Sequence, residues 1–193
     1  AKGGESQRAL ELLEEMQRCG LVPNEITYNS VINAGAKGDK WQHALDLLDK
    51  MRRCGLVPHV ITYNSVLNAC AMGGESQRAL ELLDEMRSHG LVPDELTYSS
   101  VIDACAKGGE WRRALDLFDK MRLFNFMPDL VTYAAALSAC AIGRQPARAL
   151  SLFELLQQEG LTPELSHWCH LLDALGPNHT QSCSLLLRMV EQP

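Results

Sequence analysis

The most reactive side chains in this chain are its cysteines and histidines. His167, Cys169 and His170 lie close together, with Cys183 downstream, and side chains of these two types are common zinc ligands. Other cysteines recur at a step of 35 residues, in two series: Cys19 and Cys54, and Cys70, Cys105 and Cys140. Whether any of these side chains meet depends on the elements that carry them.

The 35-residue step extends over most of the chain. It links Pro23, Pro58, Pro93, Pro128 and Pro163, and it links Tyr28, Tyr63, Tyr98 and Tyr133 with Trp168. It also links Thr27, Thr62, Thr97 and Thr132. Self-similarity at such a period is the signature of a repeat architecture in which each repeat is one supersecondary unit.

Each repeat is predicted to form two helices. Tyr28, Val31 and Ile32 fall at i, i+3 and i+4 and line one helical face, and a broader apolar stripe runs from Ala44 to Met51. Asp39 is a predicted N-cap between the two helices. The second helices should end at residues that tolerate the left-handed conformation, namely Gly20, Gly55, Gly90, Asn125 and Gly160.

The predicted first helices span about 26–37, 61–72, 96–107, 131–142 and 166–175, and the second helices about 5–19, 40–54, 75–89, 110–123, 145–159 and 179–191. Neither helix of a pair can bury its apolar stripe alone, so the pairs must stack into an all-α solenoid. We expect a single array over 1–193, with a partial repeat at 1–24, full repeats at 25–59, 60–94, 95–129 and 130–164, and a degenerate or partial repeat at 165–193. Because the chain opens within a repeat, we expect it to be a segment of a longer protein.

Several motifs resemble the pentatricopeptide repeat. These are the ITYNSVINA and ITYNSVLNA openings, the ALDLLDKM second helix and the GLVP loop. Tetratricopeptide repeats, the nearest alternative, have a usual period of about 34 residues and a different signature. The resemblance implies a right-handed superhelix that binds single-stranded RNA in its concave groove, with one base per repeat.

The resemblance also implies which side chains recognise the bases. They are the residue after the helix-opening tyrosine and the last residue before the next repeat. The pairs on this chain are Asn29 with His59, Asn64 with Asp94, Ser99 with Asp129, and Ala134 with Glu164. By resemblance, the Asn64/Asp94 pair is associated with uracil and Ser99/Asp129 is similar to pairs that prefer guanine. Ala134 offers no side-chain hydrogen bond, so the fourth repeat is expected to recognise no base.

Two further contacts are implied by the resemblance. Aliphatic side chains just before the Thr-Tyr pair clamp the bases in the family, and here these are Ile26, Ile61, Leu96 and Val131; ordinary helix packing is the alternative. A lysine near the end of the first helix meets phosphate. Lys37 and Lys107 fit that place, whereas Met72 and Ile142 occupy it in the other two repeats.

The repeat also bears on the cysteines and tryptophans. Equivalent residues in stacked repeats are roughly 8–10 Å apart, which is too far for a disulfide or a shared zinc. Both cysteine series are therefore predicted to be small buried packing residues, and no metal site or cofactor is predicted. Trp41 and Trp111 open second helices. They are predicted to pack between repeats or to contact a partner, in preference to stacking on bases.

Composition narrows the choice of function. The formal net charge is −6, which does not favour nucleic acid, although the charged residues predicted within the first helices, Lys37, Asp103, Lys107 and Asp173, cancel. No apolar run is long enough to span a membrane. No nucleophile–base pair, phosphate loop or metal signature appears, so no enzyme is predicted.

Two hypotheses remain from the sequence. In the first, the chain is an RNA-binding adaptor of a chloroplast or mitochondrion that recognises single-stranded RNA and not DNA. In the second, the same solenoid is a scaffold subunit that binds protein within a large assembly. The intact Asn64/Asp94 pair favours RNA, whereas the missing lysines and the fourth repeat favour the scaffold.

Overall fold

The computed structural model describes residues 4–36 and 41–176. These residues form α-helices without any strand, so the all-α prediction is confirmed. In chain order the helices are α1 (Gly4–Arg18), α2 (Glu25–Ala36), α3 (Trp41–Arg53), α4 (Val60–Gly73), α5 (Ser76–Ser88), α6 (Glu95–Lys107), α7 (Trp111–Leu123), α8 (Leu130–Ile142), α9 (Pro146–Gln158) and α10 (Leu165–Leu175). None of them has the length and apolar character of a membrane-crossing helix.

The even-numbered helices are the predicted first helices, and each begins one residue earlier than predicted. The odd-numbered helices are the second helices, and they match the prediction to within about one residue at each end. The predicted helix over 179–191 and the N-cap Asp39 lie outside the described residues.

The first helices form a continuous row, in which α2 packs against α4, α4 against α6, α6 against α8, and α8 against α10. Each of the second helices α3, α5, α7 and α9 packs against the first helix before it and the first helix after it. The core therefore runs from repeat to repeat without a break, as expected of a solenoid. The repeating aromatic residues are buried within it: Tyr28, Tyr63, Tyr98, Tyr133 and Trp168.

The loops after the second helices share one conformation. Gly55 has φ 74°, and Asn125 takes the same left-handed conformation at φ 59° in the repeat that lacks glycine. The next residue closes the turn: the Leu56 N–H donates to the Met51 carbonyl at 3.2 Å, and the Phe126 N–H donates to the Met121 carbonyl at 3.1 Å. This agrees with the prediction for the helix ends.

The two cysteine series differ in their burial. Cys70, Cys105 and Cys140 are buried, as predicted, and burial raises the pKa of Cys70 to about 12 and that of Cys105 and Cys140 to about 11. The prediction for the other series is wrong, because Cys19 and Cys54 are exposed. They directly follow the last residues of α1 and α3, where the chain leaves the core.

The tryptophans pack between repeats, at a glycine of the next repeat. A Cβ placed on Gly143 would lie 2.5 Å from Trp111 Cδ2, and one on Gly73 would lie 2.6 Å from Trp41 Cδ1. Both indoles are partly buried against the core. Glycine is therefore needed at these positions because the indole occupies the space of a side chain.

We predict that Gly143→Ala destabilises the protein by about 1–3 kcal/mol, because the added methyl group overpacks against Trp111. Gly143 is the C-cap of α8 with φ −78° and ψ −3°, which alanine adopts without strain, so backbone entropy alone would favour alanine. The sign of the change in the urea unfolding midpoint, followed by circular dichroism, therefore tests the contact.

Gly35→Ala is the matched control. Gly35 lies in α2 at the place of Cys70 in the next repeat, and no described atom outside the nearby backbone of α2 lies within 4 Å of a Cβ built there. This variant should gain about 0.4–1 kcal/mol. Equal effects of the two variants, or an unchanged cost of Gly143→Ala in a Trp111→Ala background, would contradict the prediction.

Candidate nucleic-acid interface

An aliphatic side chain from each repeat is exposed along the row of first helices. Ile26, Ile61, Leu96 and Val131 are 73%, 68%, 59% and 61% exposed. Burial in helix packing, the alternative considered for these residues, does not describe them. Such a row leaves apolar surface available to a planar ligand.

Asn64 on α4 and Asp94, the N-cap of α6, face each other across two successive first helices. Asn64 Nδ2 donates to Asp94 Oδ1 at 3.0 Å and to Oδ2 at 3.2 Å. Thr97 joins them: its backbone N–H donates to Asp94 Oδ1 at 2.8 Å, and its hydroxyl lies 2.7 Å from Asn64 Oδ1 and 2.8 Å from Asp94 Oδ1. The hydroxyl oxygen also accepts from the Asp94 N–H at 3.1 Å. Asn64, Asp94 and Thr97 thus form one hydrogen-bonded cluster, here called the recognition cluster.

The carboxylate of this cluster is held in its ionised form. Burial by itself raises the pKa of Asp94, but the hydrogen bonds from Thr97, from Asn64 and from its own backbone outweigh burial and lower that pKa. Among the described residues, Oδ2 accepts only from Asn64. A carboxylate oxygen has two lone pairs, so Oδ2 can accept a further hydrogen bond.

Asn64 and Asp94 of the recognition cluster line one cavity of about 420 Å³ together with two exposed aliphatic residues. Ile61 and Leu96 come from successive first helices, and Asn33 and Asn68 add polar groups. A cavity with aliphatic sides and a polar cluster suits a planar ring whose edge carries hydrogen-bonding groups.

The next pair is connected through a threonine. Ser99 Oγ lies 2.8 Å from Thr132 Oγ1 and donates to it, because the Thr132 hydroxyl proton is directed to Asp129, and the Thr132 N–H donates to Asp129 Oδ1 at 2.8 Å. Thr132 Oγ1 also lies 2.6 Å from Asp129 Oδ1. The serine side chain is shorter than asparagine, so Thr132 bridges Ser99 and Asp129.

The structure does not bring Asn29 and His59 together in this way. The His59 ring turns towards Glu25, with 3.5 Å between His59 Nε2 and Glu25 Oε2. Asn29 Oδ1 is buried and has no hydrogen-bond partner among the described residues. An unpaired buried acceptor is costly, so this repeat lacks the preorganisation of the recognition cluster.

Beside Ala134 and Glu164, His167 stands at the position that Thr97 and Thr132 hold in the two preceding repeats. His167 Nδ1 accepts from the Glu164 N–H at 3.1 Å, so Nε2 carries the proton and donates to the Leu130 carbonyl at 2.8 Å. Both ring nitrogens are therefore occupied, which opposes the metal-ligand alternative for His167. Cys183, the most distant candidate ligand, lies outside the described residues.

Of the two predicted phosphate-contacting lysines, the structure describes one. Lys107 donates to Asp103 Oδ2 at 2.7 Å, so its charge is partly compensated. Lys37 lies outside the described residues. Met72 and Ile142, at the equivalent positions, are exposed apolar side chains.

The prediction that charges on the first helices cancel is wrong for the described residues. These helices begin one residue earlier than predicted, which adds Glu25 and Glu95 to the count. Lys107 then stands against four carboxylates, those of Glu25, Glu95, Asp103 and Asp173. The described first helices are therefore net negative.

The threonines were not predicted as members of the site. Their 35-residue series is visible in the sequence, but the period alone does not show that Thr97 and Thr132 contact side chains of the preceding repeat. The asparagines Asn33 and Asn68 are also one period apart and line the cavity without having been predicted.

Models of the pentatricopeptide repeat match the chain along most of its length. The PPR repeat family matches residues 1–37, 23–72 and 58–107, the PPR repeat matches 96–126, and the pentatricopeptide repeat domain matches 116–178. A search of curated proteins gave no significant match.

Solved structures of such proteins are similar to this chain. One is the maize pentatricopeptide repeat protein PPR10 in complex with an 18-nt psaJ RNA element, with a TM-score of 0.75 and 28% sequence identity. The similarity covers 99% of this chain and 27% of the PPR10 chain. This chain thus spans about a quarter of PPR10. The PPR domain of Arabidopsis thaliana protein-only RNase P 1, in complex with tRNA, has a TM-score of 0.69 and 22% identity, covering 84% of this chain and 88% of that domain. The second similarity shows the fold alone.

Because these repeat models together cover residues 1–178, the chain belongs to the pentatricopeptide-repeat family.

Proposed function

We propose that this chain binds single-stranded RNA along its row of first helices, with one base per repeat. The observation that carries the proposal is the recognition cluster in its cavity between Ile61 and Leu96. The similarity to PPR10, whose structure contains an RNA element, supports it. The proposed function is binding without catalysis, and the family resemblance supports a location in a chloroplast or mitochondrion.

The carboxylate at the second position determines which bases fit. Uracil and guanine carry an N–H at the centre of their Watson–Crick edge, which a carboxylate can accept, whereas cytosine and adenine present a lone pair there. Asn64 extends further into the site than Ser99 and leaves room for the smaller ring. We therefore assign uracil to Asn64/Asp94 and guanine to Ser99/Asp129.

A protein-binding scaffold is the second candidate function. It is favoured by the net negative charge of the described first helices, because neutralisation of phosphates supplies most non-specific RNA affinity. If this candidate is correct, the groove binds a polypeptide and the exposed aliphatic row contacts its apolar side chains.

Selection from a random pool of single-stranded RNA distinguishes the two candidates. At about 50 mM salt we expect enrichment of sequences with adjacent uracil and guanine, and weaker binding at about 200 mM. Absence of enrichment at the lower salt concentration would refute RNA binding by this chain and favour the scaffold.

Asp94→Asn tests the assignment of the carboxylate. Asparagine keeps the N-cap, so the fold should persist, but its amide can also donate to the lone pair of cytosine. We expect the preference for uracil over cytosine to fall about tenfold at one position, as measured by competition binding. Asp116→Asn, on the exposed surface of α7, makes the same charge change and should leave this preference unaltered. Identical behaviour of the two variants would contradict the assignment.

The double variant Ala134→Asn, Glu164→Asp tests the fourth repeat by a gain of recognition. It introduces the residue types of the Asn64/Asp94 pair, so selection should show uracil preferred at one additional position. Ala147→Asn with the same Glu164→Asp change places the asparagine on α9 instead and is the control. An unchanged selected motif in the first variant would show that Ala134 is not a base-recognition position.

A further inference from the structure

Another series of sites lies where the second helices end, at the buried tyrosine of each repeat. In the repeat of Tyr63, the hydroxyl accepts from Arg52 Nη2 at 3.2 Å and donates to Glu85 Oε1 at 3.0 Å. Arg52 and Glu85 also form an ion pair, and His89 Nδ1 lies 3.1 Å from the hydroxyl. Arg52 and Tyr63, here called an arginine–tyrosine pair, therefore both bind the carboxylate of Glu85, which belongs to the same chain.

In the repeat of Tyr133, a different residue supplies the carboxylate. The Tyr133 hydroxyl donates to Glu159 Oε2 at 2.7 Å, and Arg122 Nη2 donates to Glu159 Oε1 at 3.1 Å. Glu159 lies one turn beyond the position equivalent to Glu85. Here too an internal carboxylate contacts both the arginine and the tyrosine.

The repeat between them has the arginine and the tyrosine without such a carboxylate. Arg87 Nη2 donates to the Tyr98 hydroxyl at 3.1 Å. Lys120 takes the position of Glu85, and Phe124 takes the position of Glu159. The described acid that pairs with Arg87 is Asp84, at 3.5 Å, on the same helix and 80% exposed. A pair of this kind is worth little, so Arg87 remains available.

Lys120 adds a second positive charge to this place. In both preceding repeats, the residue equivalent to Lys120 contacts the residue equivalent to Arg87, which lies 33 places earlier in the chain. Lys50 Nζ donates to Gln17 Oε1 at 3.1 Å, and Glu85 forms an ion pair with Arg52. In this repeat the two positions hold Lys120 and Arg87, two cations that line one cavity of about 510 Å³. Two like charges at such a site favour an anion between them.

Apolar groups surround the two cations. Val92, Phe124 and Phe126 line the cavity, and the Tyr98 ring lies 6.1 Å from that of Phe124 and 5.8 Å from that of Phe126. Leu123 and Met127, adjacent to this lining in the sequence, are exposed. A ligand that fits must therefore combine an anion with apolar surface.

We propose that this cavity, the edge cavity, binds a carboxylate from a partner protein. The recognised segment has a glutamate or aspartate side chain next to an aromatic or large aliphatic residue. The anion is a carboxylate because the two neighbouring arginine–tyrosine pairs already hold one in hydrogen-bonding geometry. The apolar neighbours of the acid cover Val92 and Phe124. RNA also joins phosphates to bases that stack on aromatic rings, and the oligouridine competition described below distinguishes it from the peptide.

The probe for this proposal is the peptide acetyl-Phe-Glu-Leu-amide, titrated into the full chain and followed by NMR and calorimetry. We expect chemical-shift changes at Arg87, Tyr98, Lys120 and Phe124. The same peptide with glutamine in place of glutamate should bind about tenfold more weakly, since a hydrogen-bonded charge is lost. Inorganic phosphate and a short oligouridine should not displace the peptide.

Lys120→Glu supplies an internal carboxylate at the position that Glu85 holds in the preceding repeat. It should weaken binding of the peptide by about tenfold or more while helical content is kept and the Tm rises. Lys120→Gln removes only the cation and should weaken binding without raising the Tm. The converse variant, Glu85→Lys, removes the carboxylate beside Arg52 and Tyr63 and should create a second peptide site.

Several outcomes would overturn the proposal. They are a failure of the peptide to bind the native chain, equal binding of the glutamine peptide, and binding unchanged by Lys120→Glu and Lys120→Gln. Displacement of the peptide by oligouridine would assign the cavity to RNA instead. None of these results depends on RNA binding in the groove, which the Asp94→Asn experiment tests separately.

Discussion

The contact between successive first helices is the constraint on which the rest of this structure depends. The recognition cluster takes Asn64 from α4 and takes Asp94 and Thr97 from the start of α6, so it does not exist within one repeat. Successive repeats also meet at the other end of α4, where Trp41 of the second helix α3 lies over Gly73. A change in the stacking of α4 on α6 would alter the core and the candidate site together.

In the proposed RNA complex, the N-cap position of a first helix such as α6 or α8 carries two roles at once. Asp94 and Asp129 accept the N–H of the third helical residue, which stabilises the helix start, and they also present a carboxylate to the groove. This limits the residue types that the position tolerates, because a side chain suited to a base must also cap a helix. His59 illustrates the consequence of a side chain that turns away: its ring lies by Glu25, and Asn29 Oδ1 is left buried without a partner among the described residues.

Much of the fold could be predicted from the sequence, because several independent signals share one period. Apolar spacing, loop glycines and prolines all indicate the same helices, and Asn125 was recognisable as a substitute for glycine. The site was less predictable, because a period gives equivalent positions but not contacts. It did not reveal that Thr97 bridges Asn64 and Asp94. It also did not fix where each helix begins. The shift of one residue at the helix starts brought Glu25 and Glu95 into the first helices and made their summed charge negative instead of zero. Cys19 and Cys54 were mispredicted for the same reason, since recurrence does not distinguish a buried face from a helix end.

The two proposed sites meet at the loop before α6. Pro93 lines the edge cavity and Asp94, the next residue, belongs to the recognition cluster. On α6 itself, Tyr98 bonds to Arg87 of the edge cavity while the adjacent Ser99 bonds to Thr132 on the groove side. The two cavities share no lining residue, so a carboxylate in the edge cavity and a base beside the recognition cluster would not compete for space. Any energetic coupling between the two proposed sites through α6 is reciprocal by linkage: whatever a partner protein does to RNA affinity, RNA does to the affinity for that partner.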